Sequence, residues 1–327
     1  MRELETLIIA SGDESCRLEL IPEFGGTCNR LRLTAADGKP VDVVAGHRTR
    51  AEFETDKYYR GVVLYPYVNR LDKGQYCYRG QSFQFAVNEP ERSNSLHGFL
   101  MHIEPHVIRL QEQEHNAEVT LCYSYDGHNP GYPFPADIIL TYRLDHQAGM
   151  SLTFTVKNNH HDTVPLGIGW HPYFTLGQQV DSLKLQLPPA MKVAVNERRL
   201  PAGNKIAFPD FNDLTRIGSR QFDDCMALTQ AAAGKACTRL YSEVMKYGLE
   251  IWQDVAVDCQ GSTKQYCKDG RAGFQYVHVF IPPDRASIAI EPVSCGINAL
   301  NTDENLIYLA PAASVSASCG VRSLYSL

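Results

Sequence analysis

Apolar and polar residues alternate with a period of two along most of the chain, and the alternating stretches are bounded by Gly, Pro, Asn and Asp. This pattern is typical of antiparallel β-strands that bury one face. It predicts strands at residues 82–87, 118–125, 137–144, 151–158, 182–187, 249–255, 275–281 and 286–291.

A helical period is hard to find in this sequence, and its best candidate is the short stretch 50–59. The pattern therefore argues against a parallel βαβ architecture. No internal repeat or low-complexity linker divides the 327 residues, so we predict one all-β domain over residues 1–327. Residues 126–135 and 201–220 are predicted to be long surface loops, which commonly carry binding residues.

The composition limits the kinds of molecule that this chain is expected to bind. Hydrophobic residues make up 44% of the chain and charged residues 21%, which is ordinary for a globular protein with a large core. Lys and Arg number 31 and Asp and Glu 37, so the net charge is −6, without the basic patch that nucleic-acid binding requires. No run approaches the roughly 18 apolar residues that span a bilayer, and the first residues lack the features of a signal peptide. We expect a cytoplasmic protein that binds neither nucleic acid nor membrane.

The cysteine and histidine spacing gives little support for a metal site. Ten cysteines are dispersed without a CxxC pair, so neither a zinc site nor a disulfide scaffold is predicted and most are expected to be reduced. In the segment HIEPH, the residues His102, Glu104 and His106 would share one strand face and could ligate a divalent metal. Pro105 interrupts that segment and no further ligand pair stands nearby, so this interpretation is disfavoured.

Three short segments each place one ionisable side chain in a stretch that otherwise resembles a strand or turn. They are LHG with His97, GWHPYF with His171, and IAIEP with Glu291. Two imidazoles and a carboxylate can move protons on and off a small polar substrate. Glu291 is expected at a strand end, because Pro292 cannot donate to the ladder, and apolar neighbours there would raise its pKa. Taken singly, each His is as readily explained as an ordinary interior residue.

Further polar residues are candidates for substrate binding. The Arg70 guanidinium and the Asn69 amide could hydrogen-bond several hydroxyls at once, although an ion pair between Arg70 and Asp72 is an equal alternative. Asp223 and Asp224 are adjacent, and successive strand residues point to opposite faces, so only one of them can easily face a pocket. His160 and His161 look like part of a polar turn.

Five segments in order resemble the aldose 1-epimerase (mutarotase) family and together cover most of the chain. They begin at Leu64 (LYPYVNRL through NSLHG), Asp126 (DGHNPGYPFPADIILTYRL), Gly169 (GWHPYFTLG), Phe222 (FDDCMAL) and Phe280 (FIPPDRASIAIEPVSCGINALN). The resemblance implies a large antiparallel β-sandwich with a sugar in an open cleft across one sheet. One short motif would be weak evidence, whereas five in family order are strong.

The resemblance also implies roles for individual residues. His97 and His171 match the two family histidines, Glu291 the catalytic carboxylate and Arg70 the arginine that binds substrate. The family acid that contacts sugar hydroxyls falls at Asp223, with Asp224 as its rival, because two acids stand where galactose-specific enzymes typically have Asp then His. This departure leaves the preferred sugar open.

The implied reaction is interconversion of the α and β anomers of an aldohexose without cofactor or metal. Glu291 would take the proton of the anomeric hydroxyl while His171 protonates the ring oxygen. One alternative is a mutarotase for hexose 6-phosphates, in which Arg92, Arg79 or Lys73 would hold the phosphate. Another is a sugar-binding protein without turnover. The sequence is compatible with a monomer or a homodimer.

Overall fold

The computed structural model describes residues 4–230, 234–256, 264–265 and 270–325. Its strands, in chain order, are β1 (Leu7–Ala10), β2 (Arg17–Ile21), β3 (Thr27–Thr34), β4 (Pro40–Asp42), β5 (Val63–Leu64), β6 (Arg70–Asp72), β7 (Gln75–Tyr78), β8 (Gln81–Gln84), β9 (Asn94–Leu96), β10 (His106–Glu112), β11 (Asn116–Tyr125), β12 (Ala136–Asp145), β13 (Gly149–Asn158), β14 (Val164–Leu166), β15 (Gly169–Trp170), β16 (Tyr173–Phe174), β17 (Lys184–Gln186), β18 (Ala190–Lys192), β19 (Ile206–Ala207), β20 (Thr215–Arg216), β21 (Asp223–Leu228), β22 (Lys235–Ser242), β23 (Tyr247–Asp254), β24 (Lys264–Gln265), β25 (Tyr276–Phe280), β26 (Ile288–Val293), β27 (Leu306–Leu309) and β28 (Ser314–Leu324).

Helices are short in the described part of the chain. The two α-helices are α1 (Arg50–Thr55) and α2 (Ala299–Thr302), and 3₁₀ turns cover Pro22–Phe24, Pro90–Arg92, Leu100–His102, Val180–Ser182 and Pro209–Phe211. Helix α1 begins where the Thr49 hydroxyl accepts from the Glu52 amide, and it ends at Thr55, so the predicted helix 50–59 is correct only in its first part. None of the described helices is long and apolar enough to cross a membrane.

Two large antiparallel sheets dominate the described residues. One has nine strands in the order β10-β11-β12-β13-β28-β23-β22-β17-β20. The other has eight, in the order β19-β18-β21-β25-β26-β15-β5 with β16 also paired to β26. Buried side chains of both sheets form one hydrophobic cluster, in which Phe154 of β13 lies 5.7 Å from Phe274 between ring centroids. The predicted all-β class and the antiparallel sandwich are confirmed.

The alternation of polarity located most of the long strands. β11, β12, β13, β23, β25 and β26 begin and end within two residues of the predicted positions. In β12 the burial alternates residue by residue. Leu140, Tyr142 and Leu144 are fully buried, while Arg143, between the last two, is exposed. This is the behaviour of a strand whose one face joins the core, and it explains why the period of two was visible in the sequence.

Three local predictions are wrong. Glu291 does not end its strand, because β26 continues through Pro292 to Val293. HIEPH is not one strand, since His102 closes a 3₁₀ turn and only His106 begins β10, so the three candidate ligands share no strand face. The single long loop predicted at 201–220 is interrupted by the short strands β19 and β20. Residues 126–135 do form a loop, as predicted, and neither region lines the main cavity described below.

The eight described cysteines are all free thiols, as expected, while Cys259 and Cys267 lie outside the described residues.

Candidate active site

An open cavity of about 660 Å³ lies over the outer face of the eight-stranded sheet, a volume in the range of small-molecule sites. Its lining residues come from strands that are distant in the sequence and from the segments that connect them. They are Asp56, Lys57, Tyr58, Tyr59, Asn69, Arg70, Asn88, Glu89, Pro90, Glu91, Arg92, Leu96, His97, His171, Tyr173, Asp223, His278, Phe280 and Glu291. The cavity brings together His97, His171, Glu291, Arg70, Asn69 and Asp223 from the sequence prediction, and it leaves out Asp224.

Glu291 reaches the cavity because of its parity in β26. Ile288 and Ile290 are fully buried in the core, and Glu291 points to the opposite face of the strand. Its side chain is nevertheless only 1% exposed, and neither carboxylate oxygen has a hydrogen-bond partner among the described residues. A buried carboxylate left in this way is poised to accept hydrogen bonds from a ligand.

His171 lies in the gap between the two short strands β15 and β16, both of which pair with β26. Its backbone is held on both sides, since its amide donates to Val62 O over 3.0 Å and its carbonyl accepts from Gly61 N over 2.9 Å. The same gap explains how Pro292 is accommodated. The amides of Ile290 and Ser294 donate toward β15 and β16, so the donor that Pro292 lacks would have faced this interruption of the ladder.

The candidate acid, His171, lies beside the candidate base, Glu291. The Nε2 atom of His171 lies 3.3 Å from Oε1 of Glu291, and both side chains are buried. Nδ1 of His171 has no hydrogen-bond partner among the described residues. An imidazole and a carboxylate at this distance can share and exchange one proton.

His97 follows β9 in a left-handed backbone conformation, with φ of 64°. Asn69, which precedes β6, has φ of 54°, and the His97 amide donates to the Asn69 carbonyl over 3.1 Å. Positive φ is uncommon for residues other than glycine and is favoured at functional sites when the surrounding structure enforces it. Both residues are 5% exposed, so the pairing of β6 with β9 fixes their side chains at the cavity wall.

The two predicted histidines pack within a row of aromatic rings. His97 lies between Tyr59, with 4.7 Å between ring centroids, and His171, at 5.1 Å. His171 in turn stacks on Tyr173, with centroids 5.3 Å apart and an interplanar angle of 11°. These contacts fix the ring planes, which suits groups that must meet a substrate in one orientation.

Arg70 is oriented by a carboxylate that the sequence prediction missed. Its guanidinium donates to Glu89 over 2.9 to 3.1 Å, and Glu89 also accepts from Asn94 over 2.8 Å and from Arg92 over 2.9 Å. The alternative ion pair between Arg70 and Asp72 is wrong. Asp72 pairs instead with Arg198 over 2.7 Å.

The two adjacent acids of β21 point to opposite faces, as their spacing predicted. Asp223 lines the cavity, 4.0 Å from Arg70 and 3.4 Å from Arg199. Asp224 pairs with Lys192 over 2.7 Å and does not line the cavity, so of the two rival acids the structure brings only Asp223 to the other candidate residues.

His278 of β25 is a third histidine of the cavity, and the sequence prediction did not include it. It is 4% exposed, its Nε2 lies 3.2 Å from Asp223 Oδ1, and it stands opposite Glu291 in the register of β25 and β26. A signal was present in the sequence. In the segment YVHVF, Val277 and Val279 occupy the core-facing parity, so His278 takes the same outward parity as Glu291. No comparable periodic signal marks Glu89, which stands just before the 3₁₀ turn Pro90–Arg92.

Burial and charge displace the pKa values of these groups strongly. Burial raises the pKa of Glu291 to about 7. The charge of His278 acts to lower this pKa, and the charge of Asp223 acts to raise it further. Burial and the charge of His278 lower the pKa of His171 to about 3. Burial, then His171 and Arg70, hold the pKa of His97 well below its usual range. Burial also opposes ionisation of Asp223, but the hydrogen bond between Asp223 and His278 outweighs burial and keeps the pKa of Asp223 well below normal.

Among the described residues, the one group spaced to hold a metal ion is His160, His161 and Asp162, in a turn that does not line the cavity. The three are consecutive, and Asp162 is engaged by Arg79, in keeping with the predicted polar turn.

Comparison with known proteins agrees with the fold. The sequence profile of the family described as Aldose 1-epimerase matches residues 13–286, and Glu291 lies just beyond the matched range. An uncharacterized protein of Escherichia coli, YihR, is 27% identical over 253 residues, covering 76% of this chain and 74% of its own. Galactose mutarotase of Rattus norvegicus is 25% identical over 249 residues, covering 71% and 70%. That of Sus scrofa is 28% identical over 166 residues, covering 51% of this chain and less than half, 46%, of its own.

Solved structures share the fold at low identity. The GalM/aldose epimerase homologue from C. elegans superposes with a TM-score of 0.81 at 18% identity and covers 99% of each chain. Galactose 1-epimerase from Lactobacillus acidophilus superposes with a TM-score of 0.75 at 14% identity, covering 99% of this chain and 100% of its own. With a profile match over most of its length and this sandwich fold, the chain belongs to the aldose 1-epimerase family.

Proposed function

We propose that this protein is a mutarotase that interconverts the α and β anomers of an unphosphorylated aldose by acid–base ring opening and closure. The observation that supports this most directly is the pair formed by Glu291 and His171. Both lie at the cavity wall, 3.3 Å apart, buried, and with polar atoms that no described residue satisfies. A site built only to bind a sugar would have no need of a proton donor and acceptor in contact with each other.

In the proposed ring-opening step, the Glu291 carboxylate takes the proton of the anomeric hydroxyl. A carbonyl then forms between C1 and O1 as the bond from C1 to the ring oxygen breaks, and the ring oxygen takes a proton from His171. Rotation about the C1–C2 bond exposes the other face of the aldehyde. The ring oxygen then attacks C1 as His171 recovers its proton and Glu291 returns the other.

The electrostatics of the pair suit a reaction that runs equally in both directions. Glu291 has a raised pKa and His171 a lowered one, so together they hold one proton near neutral pH. Transfer of that proton from Glu291 to His171 creates two opposite charges in contact, which stabilise each other in the low dielectric of the site. The pair therefore titrates as a unit, and its apparent pKa values belong to neither residue alone.

Substrate binding falls in this proposal to the polar groups around the pair. Arg70, held by Glu89, and Asp223, held by His278, present a donor and an acceptor for sugar hydroxyls in fixed positions. Asn69 adds an amide, and His97 lies close enough to His171 to contact the same sugar ring. The rings of Tyr59 and Phe280 offer apolar surface to the face of the sugar.

None of the three cations considered for a phosphate is an unpaired ligand in the cavity, which favours an unphosphorylated sugar over a hexose 6-phosphate. Of the three cations considered from the sequence, Arg79 is engaged by Asp162 and Lys73 does not line the cavity. Arg92 does line it, but its guanidinium is paired with Glu89 over 2.9 Å and Glu91 over 3.6 Å. A phosphate would have to compete with these carboxylates for its ligand.

The first prediction concerns the substrate. Freshly dissolved glucose, galactose and other neutral aldoses are expected to reach anomeric equilibrium faster with the protein, and glucose 6-phosphate should gain at least tenfold less in kcat/KM. Polarimetry or NMR saturation exchange measures both. Acceleration confined to the phosphorylated sugar would replace the proposed substrate class, and binding of a sugar without any acceleration would make this a binding protein.

The second prediction tests Glu291 as the base. Glu291→Gln keeps the size of the side chain but cannot take a proton, so mutarotation should fall by at least about a hundredfold while sugar binding persists. Glu118→Gln, on the outer surface of β11 beside Arg109, is the matched control and should retain full activity. Near wild-type turnover in the Glu291 variant would remove this residue from the role of base.

The third prediction separates the two histidines. Because His171 contacts Glu291 and acts on the ring oxygen in this proposal, His171→Asn should depress mainly kcat. His97→Asn should raise KM as well, since His97 positions the sugar. Steady-state kinetics on one aldose, with circular dichroism as a folding control, gives the comparison. Intact kcat in both variants would exclude each histidine as the acid.

The fourth prediction follows from the burial of Glu291. Below its normal pKa of 4.5 the carboxyl is protonated in both folded and unfolded chains; above that, the unfolded chain ionises first, so folding stability falls as pH rises through about 7. Glu291→Gln does not titrate and should gain up to about 3 kcal/mol of stability over wild type between pH 5 and pH 8. Urea unfolding at the two pH values measures the gain, and an equal difference at both would refute the charge penalty.

A further inference from the structure

His278 occupies the centre of the charged groups in the cavity. It is the middle residue of β25, between β21, which carries Asp223, and β26, which carries Glu291. Residues directly opposite each other in an antiparallel pair have Cβ atoms about 4.5 to 5.5 Å apart on the same face, so His278 and Glu291 are neighbours. Asp223 lies on the other side, 3.2 Å from the Nε2 atom of His278.

The titratable groups that face His278 come from each element packed around it. They are Asp223 and Cys225 of β21, Glu291 of β26, Arg70 of β6, His97 after β9 and His171 after β15. Two of these are carboxylates: Asp223 lies 3.2 Å from the ring, and Glu291 stands opposite it in the register of β25 and β26. Cys225, opposite His278 in the register of β21 and β25, is buried, while the two other imidazoles have little tendency to carry charge there.

We propose that His278 is a positioning residue of this reaction, a cationic imidazole fixed between Asp223 and Glu291 that keeps the Glu291 carboxylate available as a base near neutral pH. The catalytic role of His278 in this inference rests on the proposed function. The charge arrangement itself is a property of the protein without substrate and is testable separately.

The balance of charges explains why a cation is needed at this position. Glu291 is buried without hydrogen bonds, and the nearby charge of Asp223 further opposes its ionisation. His278 and Arg70 are the positive groups that act in the other direction. Arg70 is largely committed to Glu89, so His278 supplies positive charge directly beside Glu291.

The same electrostatics act on His278. Burial alone would remove the charge of the ring, but Glu291 and the hydrogen bond to Asp223 outweigh it and raise the pKa of His278 well above its normal value. One contact favours the neutral ring instead, because the Asn69 amide nitrogen lies 3.4 Å from Nδ1 and could donate to it. That contact is long, whereas the Asp223 carboxylate lies 3.2 Å from the ring and Glu291 stands opposite it in the strand register.

The charge of His278 can be measured without any sugar. In ¹³C- and ¹⁵N-labelled protein, the His278 ring, identified by its loss in His278→Gln, should give imidazolium shifts at pH 7. The Glu291 carboxyl carbon, identified by its loss in Glu291→Gln, should titrate at a pH about 1 unit or more higher in His278→Gln than in wild type, the size of effect that a neighbouring charge produces.

Gln is the informative replacement, because its amide can still donate to Asp223 while carrying no charge. His128→Gln, in the exposed loop after β11, is the control and should leave the Glu291 titration unchanged. A neutral His278 ring at pH 7 in wild type, or an unmoved Glu291 titration in His278→Gln, overturns the proposal. If the variant fails to fold, the wild-type His278 ring is assigned by through-bond correlation instead, and its charge at pH 7 decides alone.

Kinetics connects the charge to the reaction. The reactive pair holds one proton, and the loss of that proton as Glu291 ionises sets the basic limb of kcat/KM against pH, so in His278→Gln this limb should move to higher pH by about 1 unit or more. A merely structural role would lower activity equally at every pH, and that result would reject His278 as a positioning residue. If wild-type protein accelerates no aldose while the NMR shifts behave as expected, the proposed function fails and the charge arrangement stands.

Discussion

The antiparallel pairing of β25 with β26 is the constraint on which the candidate site depends. One face of both strands, including Val277 and Ile290, packs into the core, so the alternate residues are forced to the cavity face. The register sets His278 directly opposite Glu291. A slip of one residue would send Glu291 into the core, and the hydrophobic face therefore enforces the position of the carboxylate.

Around this pair, the carboxylates of the site are held by hydrogen bonds, with one exception. Glu89 accepts from Arg70, Arg92 and Asn94, and Asp223 is held by His278. Glu291 alone among these carboxylates has no hydrogen bond within the described residues. Burying a charge without hydrogen bonds is unfavourable, and such a penalty at a single group is typical of a site that trades stability for reactivity.

The short strands β15 and β16, and the gap between them, position His171. Their gap opposite Pro292 leaves the His171 ring beside Glu291, while the backbone of His171 is tied to Val62 and Gly61. The irregular segment thus has the rigidity of the sheet without continuing its ladder. Reacting groups placed on such supported segments keep their geometry better than groups on free loops.

The sequence by itself determined the all-β class, the long strands and the opposite orientation of Asp223 and Asp224, because strand periodicity is a local property that burial imposes on successive residues. Five motifs also singled out residues that meet in one cavity. Only the tertiary structure decided that Arg70 pairs with Glu89, that β26 continues past Glu291, and that His278 joins the site. These depend on which strands become neighbours and in what register, and contacts between residues so far apart in the chain leave no fixed spacing to read.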